Sequence, residues 1–248
     1  MFRSFIYLDQ DALARYSSQL GMSAGIKVKS VDGSVSASMG PVNTNVSVAA
    51  ERLVPDSDQI QVFDEFEAKL AGRETDDYFD FLEHEGYDAR TLPHMCLFRF
   101  SGSANVPDGF DLFEAMQKLM PLMGETGLLD VKQEDAGAKI AMKLLSEKQG
   151  AIPIVIDGLE VPVASKLKTE WIEGGDSIAL EEIQDDEAVF LCKVVAHTHG
   201  DRVAVFDPLK DCMKVNRAIR RTVKRTEGLE IVYEEGPVIR AEVVAIYH

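Results

Sequence analysis

Cysteine is scarce in this sequence: Cys96, Cys192 and Cys212 are the whole supply in 248 residues. The number is odd and no two stand in C-x-x-C spacing, so a disulfide framework is disfavoured and a reducing compartment is expected. Long apolar runs are missing too. No window approaches the roughly 18 apolar residues of a membrane helix. The stretch from Met1 to Asp9 has too short an apolar core, and no small-residue cleavage site after it, for a signal peptide. The expected location is therefore the cytoplasm, with no transmembrane helix. Positive charge is the third deficit: 26 Lys and Arg stand against 42 Asp and Glu, a net charge of -16. That balance disfavours bulk nucleic-acid binding. A DNA-mimic inhibitor is the sharp reading of such acidity, and solubility is the simpler account. Signatures of catalysis are the last absence. There is no G-x-S-x-G, no phosphate-binding glycine loop and no dinucleotide fingerprint. No catalytic residue and no cofactor is read from the sequence, which leans toward a protein that is not an enzyme.

What is present is ordinary globular material: 46% apolar and 27% charged residues. The length suffices for a sizeable core, in one large domain or two small ones. Residues 5–8 read as a short buried strand. Asp9 caps a helix that carries Leu13, Tyr16 and Leu20 on one face and stops at Gly21. Ile60, Phe63, Phe66 and Leu70 suit a second helix, and Tyr78, Phe81 and Leu82 suit a third. Residues 94–101 read as a strand, and helices are expected over about 112–120 and 130–148. Apolar runs over 152–156 and 161–167 flank Asp157 and Gly158, the strongest turn signal in the chain. Strands follow over 177–183, 188–197 and 203–206. Residues 229–233 and 238–247 read as a closing hairpin around Gly236 and Pro237. The mixture lacks clean βαβ repetition. It predicts an α+β fold with a mixed, mostly antiparallel sheet, packed helices and an N-terminal small-residue β-hairpin insert. A division near Gly150 would give an N-terminal half, 1–150, and a C-terminal half, 151–248.

The insert, residues 22–50, has only Lys27, Lys29 and Asp32 as charged residues. Val35, Ala37 and Met39 alternate with serines, and Val42, Thr44, Val46 and Val48 alternate with Asn43, Asn45 and Ser47. This is a meander pattern with one apolar and one polar face. A mobile hairpin or a loop fits the small side chains equally well. The alternation also admits an inserting membrane hairpin. Yet the 34–39 strand is shorter than the roughly 9–11 residues a spanning strand needs, and no aromatic girdle flanks it.

Charge is distributed unevenly. Residues 51–90 hold 13 acidic residues against Arg52, Lys69, Arg73 and Arg90, a net of -9. Near the other end, Asp207 and Pro208 open a predicted helix over 208–226. On it, Lys210, Lys214, Arg217, Arg221 and Lys224 recur at helical spacing, widened by Arg220 and Arg225, while Cys212, Val215, Ile219 and Val223 form the apolar side. From Leu209 to Arg225 seven basic residues stand against Asp211, a net of +6. Such clustering can engage anionic lipid, nucleic acid, a phosphate ligand or an acidic protein partner, including a second copy of the chain. The competing account is that it neutralises the chain's own acidic helices at 56–88.

Two smaller clusters each admit two readings. His197 and His199 would point to the same side of a strand, so both could reach one metal ion; a simple turn at Gly200 and Asp201 is the simpler account of the run. Glu181, Glu182, Asp185, Asp186 and Glu187 resemble paired carboxylates but read more simply as a solvated loop. Cys96 and Cys192 sit in apolar strands and read as core residues.

Three stretches together resemble a bacterial protein family of unknown function. They are the opening Phe5 to Asp9 with Leu13, Tyr16, Ser18, Gln19 and Leu20; the small-residue insert; and the ending from Gly236 and Pro237 through Ala245, Ile246 and Tyr247. The resemblance implies a prokaryotic cytoplasmic protein and carries over no catalytic residue. The sequence thus favours a binding or regulatory protein that uses the basic helix and the 22–50 hairpin to engage a macromolecular partner or itself. A membrane-perturbing effector built on 22–50, and a metal-dependent hydrolase at 197–199, are the alternatives.

Overall fold

The computed structural model describes residues 3–22, 57–72, 77–84, 86–107, 110, 150–172, 180, 182–211, 221 and 231–248. The expected hairpin over 22–50 and the helices over 112–120 and 130–148 lie outside these residues, apart from Met22.

β1 (Phe5–Leu8) leads into α1 (Gln10–Gln19). The Asp9 carboxylate accepts from the Ala12 N–H at 2.9 Å, which fixes the start of α1 as the sequence predicts. Its second oxygen meets Lys168 Nζ at 2.9 Å, so the same buried carboxylate ties the helix start to the sheet. α2 (Ser57–Ala71) follows, then β2 (Tyr78–Asp80), a 3-10 turn at Ala89–Thr91, and β3 (Leu97–Asn105). β4 (Ala151–Asp157) and β5 (Val163–Lys168) form the hairpin that Asp157 and Gly158 announce. After α3 (Glu182–Asp185) come β6 (Ala188–Thr198), β7 (Arg202–Phe206), α4 (Pro208–Asp211), β8 (Val232–Glu235) and β9 (Val238–Tyr247).

Seven strands share one sheet, and five of them close into a ring: β3, β4, β5, β9, β6 and back to β3. Every junction is antiparallel except β5–β9. This is the strand order of a five-stranded Greek-key barrel of the OB type. β1 extends β9 and β2 extends β3 beyond the ring. The fold is α+β with a mostly antiparallel sheet, as the sequence predicts, and strands from both sides of Gly150 share it.

The ring closes because β3 changes partner midway. Leu97 to Gly102 pair with β6, and Ser103 to Asn105 pair with β4. At the switch the backbones of Gly102 and Asp157 come so close that a β-carbon on Gly102 would overlap the Asp157 carbonyl. Gly158, with φ of 143°, completes the crossing. Inside the barrel Phe98, Phe100 and Phe190 stack in sequence, with ring centroids 5.5 Å apart at both steps. Ile154, Ile156, Val163, Leu167 and Cys192 fill the remaining interior. A second core lies outside the barrel wall, where Leu13 and Tyr16 of α1 and Phe63 and Phe66 of α2 cover Leu191, Val244 and Tyr247.

Three local expectations change. Tyr78 to Asp80 form a strand, not a helix. The apolar run is too short for periodicity to decide, and a parallel ladder on Leu97, Phe98 and Arg99 settles it. The 177–183 strand gives way at its end: Leu180 lies in a 3-10 turn and Glu182–Asp185 is helical. Leu180 and Ile183, both fully buried and three residues apart, face the core from one side of that turn. The two C-terminal strands do not pair with each other. β8 pairs with β7, and β9 is held between β6 on one edge and β5 and β1 on the other. Long-range ladders thus outcompete the local turn.

Candidate functional site: the root of the basic segment

Between β6 and β9, β7 and β8 build a small layer on the outside of the barrel. β7 and β8 pair with each other, and Val203 and Val205 pack on Val155 of β4, Ala164 of β5 and Val238 of β9. Arg240 of β9 donates to the Ala204 carbonyl at 2.7 Å and pins the hairpin across the wall. In OB-type barrels the outer face of the second and third strands is where oligomeric ligands lie. Those strands here are β4 and β5, and the apolar part of their outer face is covered by the chain's own hairpin.

The predicted basic helix starts from this layer. Asp207 accepts from the Leu209 N–H at 3.2 Å through its side chain, and through its carbonyl from Lys210 and Asp211. Asp211 returns a carboxylate oxygen to the Asp207 N–H at 2.8 Å, so the first turn is capped in both directions. Pro208 and Leu209 are buried, and Phe206 before them meets Phe110 edge to face at 5.7 Å. The other Asp211 oxygen takes Lys166 Nζ of β5 at 2.6 Å. The root is therefore fixed to the barrel by an apolar contact and an ion pair.

Lys210 lies at the solvent side of this anchor. Its side chain is 55% exposed, and its ammonium comes within 3.9 Å of an Asp211 oxygen already held by Lys166. Arg221 is helical and exposed. Lys214, Arg217, Arg220 and Lys224 lie outside the described residues. The carboxylates that would compete for these cations are partly engaged. Asp64 and Glu67 of α2 hold Arg3, and Glu67 and Asp80 hold Arg99.

His197 and His199 do face the same way: their rings are parallel to within 11° with centroids 6.1 Å apart. His197 Nε2 is bonded to the Leu92 carbonyl at 2.8 Å. Among the described residues no three His, Cys, Asp or Glu side chains gather into a metal-binding group. Lys193, a nearly buried lysine on the apolar outer stripe of β6, is not among the residues the sequence singles out. The signal was a single Lys inside the run from Val189 to Val195.

Fold and site together define an α+β protein: a small barrel, two helices on one wall and the β7–β8 layer, with the first turn of the charged segment, on another. The chain belongs to the family described as a domain of unknown function, DUF6414, whose model matches residues 2–247. No curated protein and no solved structure matches it. Among the described residues no helix is long and apolar enough to cross a membrane.

Proposed function

We propose that this is a non-enzymatic binding or regulatory protein of the cytoplasm that engages a macromolecular partner, or a second copy of itself, through the basic segment 208–226. The insert 22–50 contributes a second contact. The observation that carries the reading is the root geometry. Leu209 and Asp211 are spent on holding the segment to the barrel, while Lys210 projects into solvent beside a carboxylate that is already paired. A cationic segment fixed at its base presents its charge at one position on the surface, which favours complementary docking over diffuse attraction. Engagement of Asp64, Glu67 and Asp80 by Arg3 and Arg99 weakens the account in which the segment merely neutralises its own chain.

The test is charge reversal. The chain carrying Arg217→Glu, Arg220→Glu and Arg221→Glu is compared with the unaltered chain in pull-downs from the native host and in mass measurement of the purified particle. The partner, or the self-assembled species, should be lost in the variant while its melting temperature holds. Unchanged capture and unchanged mass would remove the segment from the account.

A further inference from the structure

Outside the barrel wall, where α1 ends, lies a cavity of about 260 Å³. Tyr16 and Leu20 of the α1 end, Leu70 of α2, Tyr78 of β2 and Leu97 of β3 line it, and Lys193 of β6 reaches it from the wall. The stripe on this side of β6 is Val189, Leu191 and Lys193, so a lysine stands where the pattern asks for an aliphatic side chain. Lys193 is only 8% exposed.

Burying an ammonium is costly unless something compensates it. Lys193 Nζ lies 4.5 Å from the centre of the Tyr16 ring. Among the described residues it has no hydrogen-bond acceptor and no ion-pair partner. The natural candidate is Glu242, which faces Lys193 across the β6–β9 ladder. That carboxylate is committed elsewhere: Arg15 donates to one oxygen at 3.0 Å and the Tyr16 hydroxyl to the other. The protein thus diverts the neighbouring acid to two other donors and leaves the buried amine facing a cavity.

We propose that this cavity is a binding site for a small monocarboxylate with an apolar body, its carboxylate on Lys193 and its hydrocarbon against Leu20, Leu70 and Leu97. One ammonium that meets an aromatic face but no hydrogen-bonded anion among the described residues suits one negative charge. Asp77, which also lines the cavity, repels any anion, and a dianion such as a phosphate monoester about twice as strongly as a monocarboxylate. Two tyrosines and three leucines give the cavity apolar walls, beside the polar Gln19, Asp77 and Lys193. The assignment is independent of the basic segment.

The experiment is calorimetric titration of the full chain with hexanoate, with hexanol, hexylamine and inorganic phosphate as comparisons. Acetyl-leucine serves as a second carboxylate, to separate a free acid from a peptide chain end. Saturable binding of hexanoate or acetyl-leucine is expected, with hexanol, hexylamine and phosphate weaker by roughly tenfold or more. Lys193→Met keeps the stem and removes the charge, and should lose the preference for carboxylate over alcohol. Leu20→Trp fills the cavity, leaves residue 193 a lysine and should abolish binding, so the idea stays testable if the first variant folds poorly. Binding of hexanol equal to hexanoate, full binding by Lys193→Met, or no binding by either carboxylate would each overturn it.

Discussion

Gly200 and Gly236 stand back to back where the β6–β7 connection meets the turn before β9. A β-carbon on Gly236 would overlap the Gly200 carbonyl, whereas one on Gly200 meets nothing closer than the Arg202 carbonyl at 3.7 Å. The contact is backbone against backbone, so no rotamer change relieves it. Gly236→Ala should destabilise the protein by about 1–3 kcal/mol, seen as a fall of several degrees in melting temperature. Gly200→Ala should be close to neutral. Equal effects of the two substitutions would show that the turns do not meet in this way.

Arg99 is the hinge of a buried charge network. It donates to both Asp80 oxygens and, at 3.4 Å, to Glu67. Glu67 also receives Arg3 and the Tyr247 hydroxyl, and Asp80 receives the Tyr78 hydroxyl at 3.2 Å. Both carboxylates are about nine-tenths buried. Removing the arginine leaves the buried Asp80 without its cation while Glu67 keeps Arg3, and breaking a buried pair costs about 3–5 kcal/mol. Arg99→Met should therefore cost far more than its change in volume suggests. Denaturant unfolding of Arg99→Met beside Asp80→Asn measures it: a loss under about 1 kcal/mol for Arg99→Met would mean that water screens the network.

How far the sequence foretold this follows from which signals are local. The Asp9 cap, the α1 stripe of Leu13 and Tyr16, and the β4–β5 turn are written within a few residues, and each appears as expected. The barrel is not local. β3 meets β6 about ninety positions away (Phe100 opposite Phe190), and Gly102 matters only because Asp157 arrives beside it. Such pairings leave no periodic trace, so the chain read as strands without an order. The closing hairpin failed for the same reason: 232–235 and 238–247 are neighbours in sequence, but their hydrogen bonds go to different sheets. The root of the basic segment was legible from Asp207 and Pro208; its clamp by Lys166 was not. Lys193 was hidden because one cation in an apolar run reads as a strand edge, until Glu242 is seen bound to Arg15 and Tyr16.

Glu242 gives the fold a pH dependence whose sign is set. Burial alone would raise its pKa; the hydrogen bonds from Tyr16 and Arg15 outweigh it and hold the carboxyl below its ordinary value. A depressed folded-state pKa contributes stability that is present above the unfolded value, about 4.3 for Glu, and is lost as pH falls through the folded one. Urea unfolding between pH 7 and pH 3 should therefore show the unaltered chain losing stability on acidification more steeply than Glu242→Gln. Parallel curves below pH 5 would mean that Tyr16 and Arg15 do not hold the carboxylate.

The two described thiols should be inert in the folded protein. Cys96 is 2% exposed, and burial, with the nearby Asp77 charge, pushes its pKa up to about 12 against a partial backbone hydrogen bond. Cys192 lies inside the barrel with no exposure, and burial pushes it up as well. At pH 8 a thiol with that Cys96 value is ionised to about one part in ten thousand, and the thiolate is the reactive form. A disulfide-exchange reagent added to the Cys212→Ser variant should thus label no thiol in buffer and both in guanidinium. The labelling rate then reports opening of the barrel, because neither sulfur is reached without separating β6 from its neighbours or lifting the loop before β3. Rising denaturant should expose the two sulfurs together if the ring unfolds as one unit. Cys96 reacting well before Cys192 would show instead that the β2–β3 end frays while the ring stays shut.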